Sequence, residues 1–177
     1  MTVTAGRKKT IYRRALLALI ILALSLIQNG AGRFLKIGGA GPLLLIPAVT
    51  AAAMFEGDVA GIFYGLFAGA LWDAFAKGNN FNSIYLVAVG YICGTLIITL
   101  MRNNFMTHLI LSGAASFLYC TGYWFYHFII CGVDRAFLTL IGFYLPMALY
   151  TTVLSPVIFL IVRFVHSKFM PRQYSED

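Results

Sequence analysis

Six apolar stretches, at about 14–34, 41–56, 58–76, 82–101, 105–131 and 136–163, take up most of the chain. The breaks between them are short: Asn29-Gly30 with Gly38-Gly39, Glu56-Gly57-Asp58, Lys77-Gly78-Asn79-Asn80, Arg102-Asn103-Asn104 and Gly132-Val133-Asp134-Arg135, all turn-forming or charged residues. A helix needs about 20 apolar residues to cross a hydrocarbon core about 30 Å thick, so this spacing predicts an all-α integral membrane protein. The expected architecture is a compact bundle of about six transmembrane helices. Residues 1–177 then form a single polytopic membrane domain with short basic cytoplasmic tails at about 1–13 and 164–177. With 60% hydrophobic and 11% charged residues and a mean hydropathy of +0.85, almost nothing is left over for a soluble domain.

The net charge of +7 raises the question of nucleic acid, but the basic residues gather at the chain ends and form no stripe interleaved with aromatics. A membrane surface accounts for them better. With the N-terminus inside, Arg7, Lys8, Lys9, Arg13, Arg14, Arg102, Arg163, Lys168 and Arg172 lie on the cytoplasmic side, nine of the thirteen. Arg33, Lys36, Lys77 and Arg135 lie on the other side. That asymmetry predicts both termini in the cytoplasm and favours six spans over five. The basic residues ahead of the first apolar run also resemble a signal peptide, but no A-x-A site follows, and the segment reads as a first span and signal anchor. The three cysteines, Cys93, Cys120 and Cys131, lie inside apolar runs without CxxC spacing and read as buried small hydrophobes.

One span carries an unusual pattern. In GDVAGIFYGLFAGALWD, Gly57, Gly61, Gly65 and Gly69 recur every fourth residue and Asp73 takes the next position. Residues four apart advance by about 400° on a helix, so these five form one ridge, and without side chains the ridge becomes a groove. A neighbouring helix can approach such a groove closely, gaining dispersion contacts that lipid does not supply. Gly90 and Gly94 in the fourth span offer a matching surface. The sequence leaves two occupants for the groove, the chain's own fourth helix or a helix of a partner. Gly57 alone joins the second and third spans, which predicts a tight antiparallel joint, with Asp58 satisfying free amides at the start of the third helix.

Asp73 lies about 22 Å along the helix from Asp58, close to the outer boundary of the hydrocarbon core. There it either pairs with Lys77 one turn on, in the favoured acid-before-base order, or meets a partner. Glu56, Asp58, Asp134, Glu176 and Asp177 all fall in turns or the tail, so no second buried acid completes a proton relay. His108, His127 and His166 are spread over two ends of the bundle and read as interfacial; no metal, cofactor or triad constellation is expected, and the chain is read as non-enzymatic. No G-x-S-x-G, H-E-x-x-H or P-loop occurs. Tyr119, Tyr123, Trp124, Phe125 and Tyr126 mark the outer end of the fifth span as an aromatic belt, with Tyr123, Trp124 and Tyr126 a further possible partner contact. Pro146 and Pro156 predict kinks in the last span.

Gly61-x3-Gly65-Leu66-x2-Gly69-x-Leu71-x-Asp73, followed by Gly78, Asn82 and Gly90-Tyr91-x2-Gly94, resembles the central region of the bacterial rod-shape-determining MreD family. The likeness covers residues 57 to 94, and the remainder agrees in length and hydropathy. It implies a scaffold of the cell-elongation machinery in the bacterial cytoplasmic membrane, bound to the bitopic protein MreC and acting with MreB, RodA and a penicillin-binding transpeptidase. It also implies a fold similar to the six-helix substrate-binding subunits of energy-coupling-factor vitamin transporters, and vitamin binding is the alternative function. Those subunits usually carry A-x-x-x-A in the first span; here that spacing occurs in the second, at Ala48 and Ala52.

Overall fold

The computed structural model describes residues 3–30, 41–76, 81–126 and 136–169, and they are helical apart from short connections. In chain order the elements are α1 (Val3–Gly30), α2 (Leu45–Glu56), α3 (Asp58–Phe75), α4 (Asn82–Thr99), α5 (Phe105–Trp124), α6 (Ala136–Thr139), a π-helical turn (Leu140–Tyr144) and α7 (Leu145–Phe169). The last three form one continuous rod. Its widened turn ends directly before Leu145-Pro146, where the proline ring would otherwise meet the carbonyl four residues back. Pro156 lies inside α7. Among the described residues, three helical segments are long and apolar enough to cross a membrane, Lys9–Gly30, Asn82–Thr99 and Leu140–Lys168.

The segment taken as a second span differs most from expectation. Its helix has 12 residues, about 18 Å at 1.5 Å per residue, which is too short to cross a core of about 30 Å. Leu45 through Met54 are all buried, so α2 is the apolar centre of the bundle, in contact with α1, α3, α4, α5 and α7. A helix that is hydrophobic all round belongs inside. Its start has no side-chain cap of its own. Neighbouring helices supply acceptors instead: Leu43 N donates to Thr151 Oγ1 on α7 at 2.9 Å, and Leu45 N donates to Gln28 Oε1 on α1 at 3.1 Å. Buried amides that cannot reach water need such partners.

The expected basic tail also changes character. Val3–Arg14 continues α1 as helix, and Arg13 and Arg14 reach the far end of α2, where both form ion pairs with Glu56. Glu56, expected in a turn, is the last residue of α2 with its side chain 1% exposed. The pairing is what makes that burial tolerable. His108, expected at an interface, is fully buried between α2 and α7. Its Nε2–H donates to the Pro47 carbonyl at 3.1 Å, the Thr50 hydroxyl donates to the same oxygen at 3.0 Å, and the ring lies 4.9 Å from that of Phe159. His166 packs on Phe55 at 4.9 Å. Cys93 and Cys120 are buried free thiols. His127, Cys131, Arg33, Lys36, Arg135 and Arg172 lie outside the described residues.

These contacts define two ends. One holds Arg13, Arg14, Glu56, Asn103 and His166, with Asn103 Nδ2 donating to Met54 O at 2.9 Å. The opposite end holds Trp72 of α3, Tyr85 of α4 and Tyr119 and Tyr123 of α5. Between them the outer surfaces of α1, α3, α4, α5 and α7 carry large exposed apolar side chains, the surface expected where lipid is the solvent.

Candidate functional site

The α2–α3 joint turns on Gly57, whose φ of 91° and ψ of −179° place it in backbone space that residues with a Cβ rarely enter. Asp58 follows as the first residue of α3 and accepts a hydrogen bond from Val59 N at 2.8 Å. From there α3 runs against α4 along the glycine ridge. A Cβ at Gly61 would strike the Gly90 carbonyl, one at Gly65 the carbonyl of Leu86, one at Gly69 the Cα of Ser83, and one at Gly94 the Cα of Asp58. As α3 ascends four residues, α4 descends about four, so the two backbones stay in contact over their whole length. The groove is filled by the chain's own fourth helix.

Asp73 closes the far end of this seam. Its Oδ2 accepts from Ser83 N at 3.0 Å and from Ser83 Oγ at 2.5 Å. Ser83 is the second residue of α4, and the native N-cap position, Phe81, offers no side-chain acceptor. The carboxylate of one helix therefore caps the next, where the dipole favours negative charge. Lys77, the expected partner, lies outside the described residues together with Gly78 and Asn80. Asp73 Oδ1 is buried without a hydrogen bond among the described residues.

Beyond that cap, α4 and α5 barely touch, and the space between their ends is a cleft of about 400 Å³. Phe81, Asn82, Tyr85, Leu118, Tyr119, Gly122, Tyr123 and Tyr126 line it. Two hydroxyls fix its inner wall: Tyr119 donates to Asn82 Oδ1 at 2.6 Å, and Tyr85 donates to the Ala115 carbonyl across to α5. The Tyr119 ring lies 5.2 Å from Trp72, 5.1 Å from Tyr85 and 6.0 Å from Tyr123, separations typical of interacting aromatic pairs. Tyr123 in turn lies 6.2 Å from Tyr144 of the π-helical turn. Among the described residues that line the cleft none is charged, and these walls suit an apolar or aromatic guest with few hydrogen-bonding groups.

The structure thus gathers the sequence-derived residues into two neighbouring places. Gly57, Gly61, Gly65, Gly69, Asp73, Gly90 and Gly94 build the α3–α4 seam, and Tyr123 and Tyr126 line the cleft. Trp124 shares the same turn of α5 but is not among the lining residues. Asn82, Ser83, Tyr85 and Tyr119 were not singled out as a cluster. Their signal is positional: Asn and Ser open α4 directly after a turn, and Tyr85 and Tyr119 lie at the same end of adjacent antiparallel helices. Glu56 could have been found similarly, since antiparallel spans bring the end of the second to the start of the first, beside Arg13 and Arg14. Among the described residues no group of three or more His, Cys, Asp or Glu side chains could hold a metal ion. No family model matches the chain, and neither a curated protein nor a solved structure matches it.

Proposed function

We propose that this chain is a non-enzymatic membrane scaffold of the MreD kind, which holds a single-pass partner resembling MreC and helps coordinate MreB with RodA and a transpeptidase during peptidoglycan synthesis. In this reading it lies in the bacterial cytoplasmic membrane with both termini inside. Five helical rods cross the bilayer, and the buried α2, which runs from beside Gln28 to beside Arg13 and Arg14, completes the sixth pass and so keeps both termini on one side. The observation that carries the reading is the convergence of the motif residues. Gly61, Gly65, Gly69, Asp73, Gly90 and Gly94, on which the resemblance rests, all serve one rigid α3–α4 hairpin, and Asn82 of the same motif supports the adjoining cleft. A rigid hairpin with an open aromatic cleft beside it is a suitable dock for a transmembrane segment, because Tyr and Phe rings supply large contact area at low entropic cost. Depletion followed by microscopy tests the role: rod-shaped cells should round up, and cells that stay rod-shaped through depletion would refute it.

The cleft volume of about 400 Å³ also favours a second reading, a small-molecule-binding subunit similar to those of the vitamin transporters. Isothermal titration against vitamins decides it: saturable heat with micromolar or tighter affinity supports binding, and flat titrations with folded protein exclude the vitamins tested.

A further inference from the structure

The opposite end of the bundle holds a second cleft, about 350 Å³, lined by Arg14, Glu56, Asp58, Val59, Ala60, Phe63 and Tyr64. Unlike the aromatic cleft, it carries charges of both signs. Glu56 is held by Arg13 and by Arg14, the latter through Nε at 3.2 Å, which leaves the terminal amino groups of the Arg14 guanidinium available. Asp58 accepts the Val59 amide through Oδ1, which leaves Oδ2 available. The Tyr64 hydroxyl donates to the Arg14 carbonyl at 3.5 Å and fixes α1 against α3 behind the cleft. With Glu56 already held by the two arginines, the recess is polarised between the Arg14 guanidinium and the Asp58 carboxylate.

Below it, Val59, Phe63 and Phe67 follow one another at four-residue spacing on α3 and are exposed by 61%, 67% and 37%. The first two line the cleft itself, so the polar recess opens directly onto an apolar column along the membrane-facing side of the helix. A guest that fills both parts must have a compact zwitterionic head and a hydrocarbon tail. We propose that this cleft binds an aminophospholipid, with the phosphate on the Arg14 guanidinium, the primary ammonium on Asp58 and one acyl chain along Val59, Phe63 and Phe67. A purely anionic headgroup would satisfy Arg14 but face the Asp58 carboxylate. A quaternary ammonium would keep the charge but has no N–H to donate. The inference does not depend on the scaffold reading, since it uses none of the residues of the aromatic cleft.

Native mass spectrometry of the detergent-purified full chain, titrated with phosphatidylethanolamine, phosphatidylglycerol and phosphatidylcholine of identical acyl chains, tests it. Phosphatidylethanolamine should bind about fivefold more tightly than either competitor, the effect of about 1 kcal/mol from a partly exposed ion pair. Asp58→Asn keeps an acceptor for the Val59 amide and should lower phosphatidylethanolamine to the level of phosphatidylcholine. Arg14→Gln should weaken all three lipids together. Equal affinity for the three lipids, tighter binding of phosphatidylglycerol, or an Asp58→Asn variant that retains the preference while melting like the parent would each overturn the proposal.

Discussion

Helix α4 treats two of its neighbours, α3 and α5, in opposite ways. Against α3 it meets glycine at every fourth position, and the two backbones touch with no side chain between them. Against α5 it presents Tyr85 and meets Tyr119 and Tyr123, and rings that large hold the helices apart and leave a cleft. In lipid, where apolar burial drives little association, residue size decides whether two helices close or leave room for a guest. The closed side gives rigidity, and the open side offers a surface. The comparison therefore assigns structure to the glycine ridge and, under the proposed scaffold role, leaves recognition to the tyrosines.

The largest effect is expected on the closed side. Gly65→Leu drives a side chain into the Leu86 backbone, and overpacking of this kind costs about 1–3 kcal/mol or more. Thermal unfolding in detergent should show a marked fall in midpoint or loss of folded protein, whereas Gly122→Ala on the open side, where an added Cβ meets nothing within 4 Å, should melt like the parent. Equal melting of the two variants would erase the distinction. Next comes Asp73→Ala, which removes the one oxygen, Oδ2, that accepts from both Ser83 N and Ser83 Oγ. Loss of a charged hydrogen bond costs about 1.5–3 kcal/mol, and faster amide exchange should appear in the first turn of α4. Asp73→Asn keeps an acceptor and should recover much of that protection.

Tyr119→Phe should be milder. It leaves Asn82 Oδ1 without its donor, for about 1 kcal/mol, and a lowered melting midpoint with retained helicity by circular dichroism would match. Tyr123→Ala combined with Tyr126→Ala gives up the ring contacts with Tyr119 and Tyr144 at the edge of an open cleft, and should lower the melting midpoint without loss of the fold. A collapse of the fold in that double variant would mean that the cleft wall, like the seam, is structural.

Much of the fold was legible because helix breaks and glycine spacing are local. The joint at Gly57, the start of α3 at Asp58, the start of α4 at Asn82 and the start of α5 at Phe105 all fall where turn residues interrupt apolar runs. The short, buried α2 was not legible. A run of apolar residues looks alike whether lipid or protein surrounds it, and the acceptors for its first amides, Gln28 and Thr151, come from elements distant in sequence. The same reason hid the burial of His108 and of Glu56: each polar group is satisfied across helices, by Pro47 in one case and by Arg13 and Arg14 in the other. At Asp73 helical spacing pointed one turn forward to Lys77, which lies outside the described residues, and gave no sign of the bond that the carboxylate accepts from Ser83. The aromatic cleft was half legible: the tyrosines of α5 stood out, but not the opposing wall supplied by α4.

The division of labour around α4 is tested most directly by retrieval of the single-pass partner. The Tyr123→Ala, Tyr126→Ala double variant, purified in folded form, should lose co-purification of the proposed MreC-like partner relative to the parent. Full recovery of that partner by the folded double variant would contradict the assignment of recognition to the aromatic cleft.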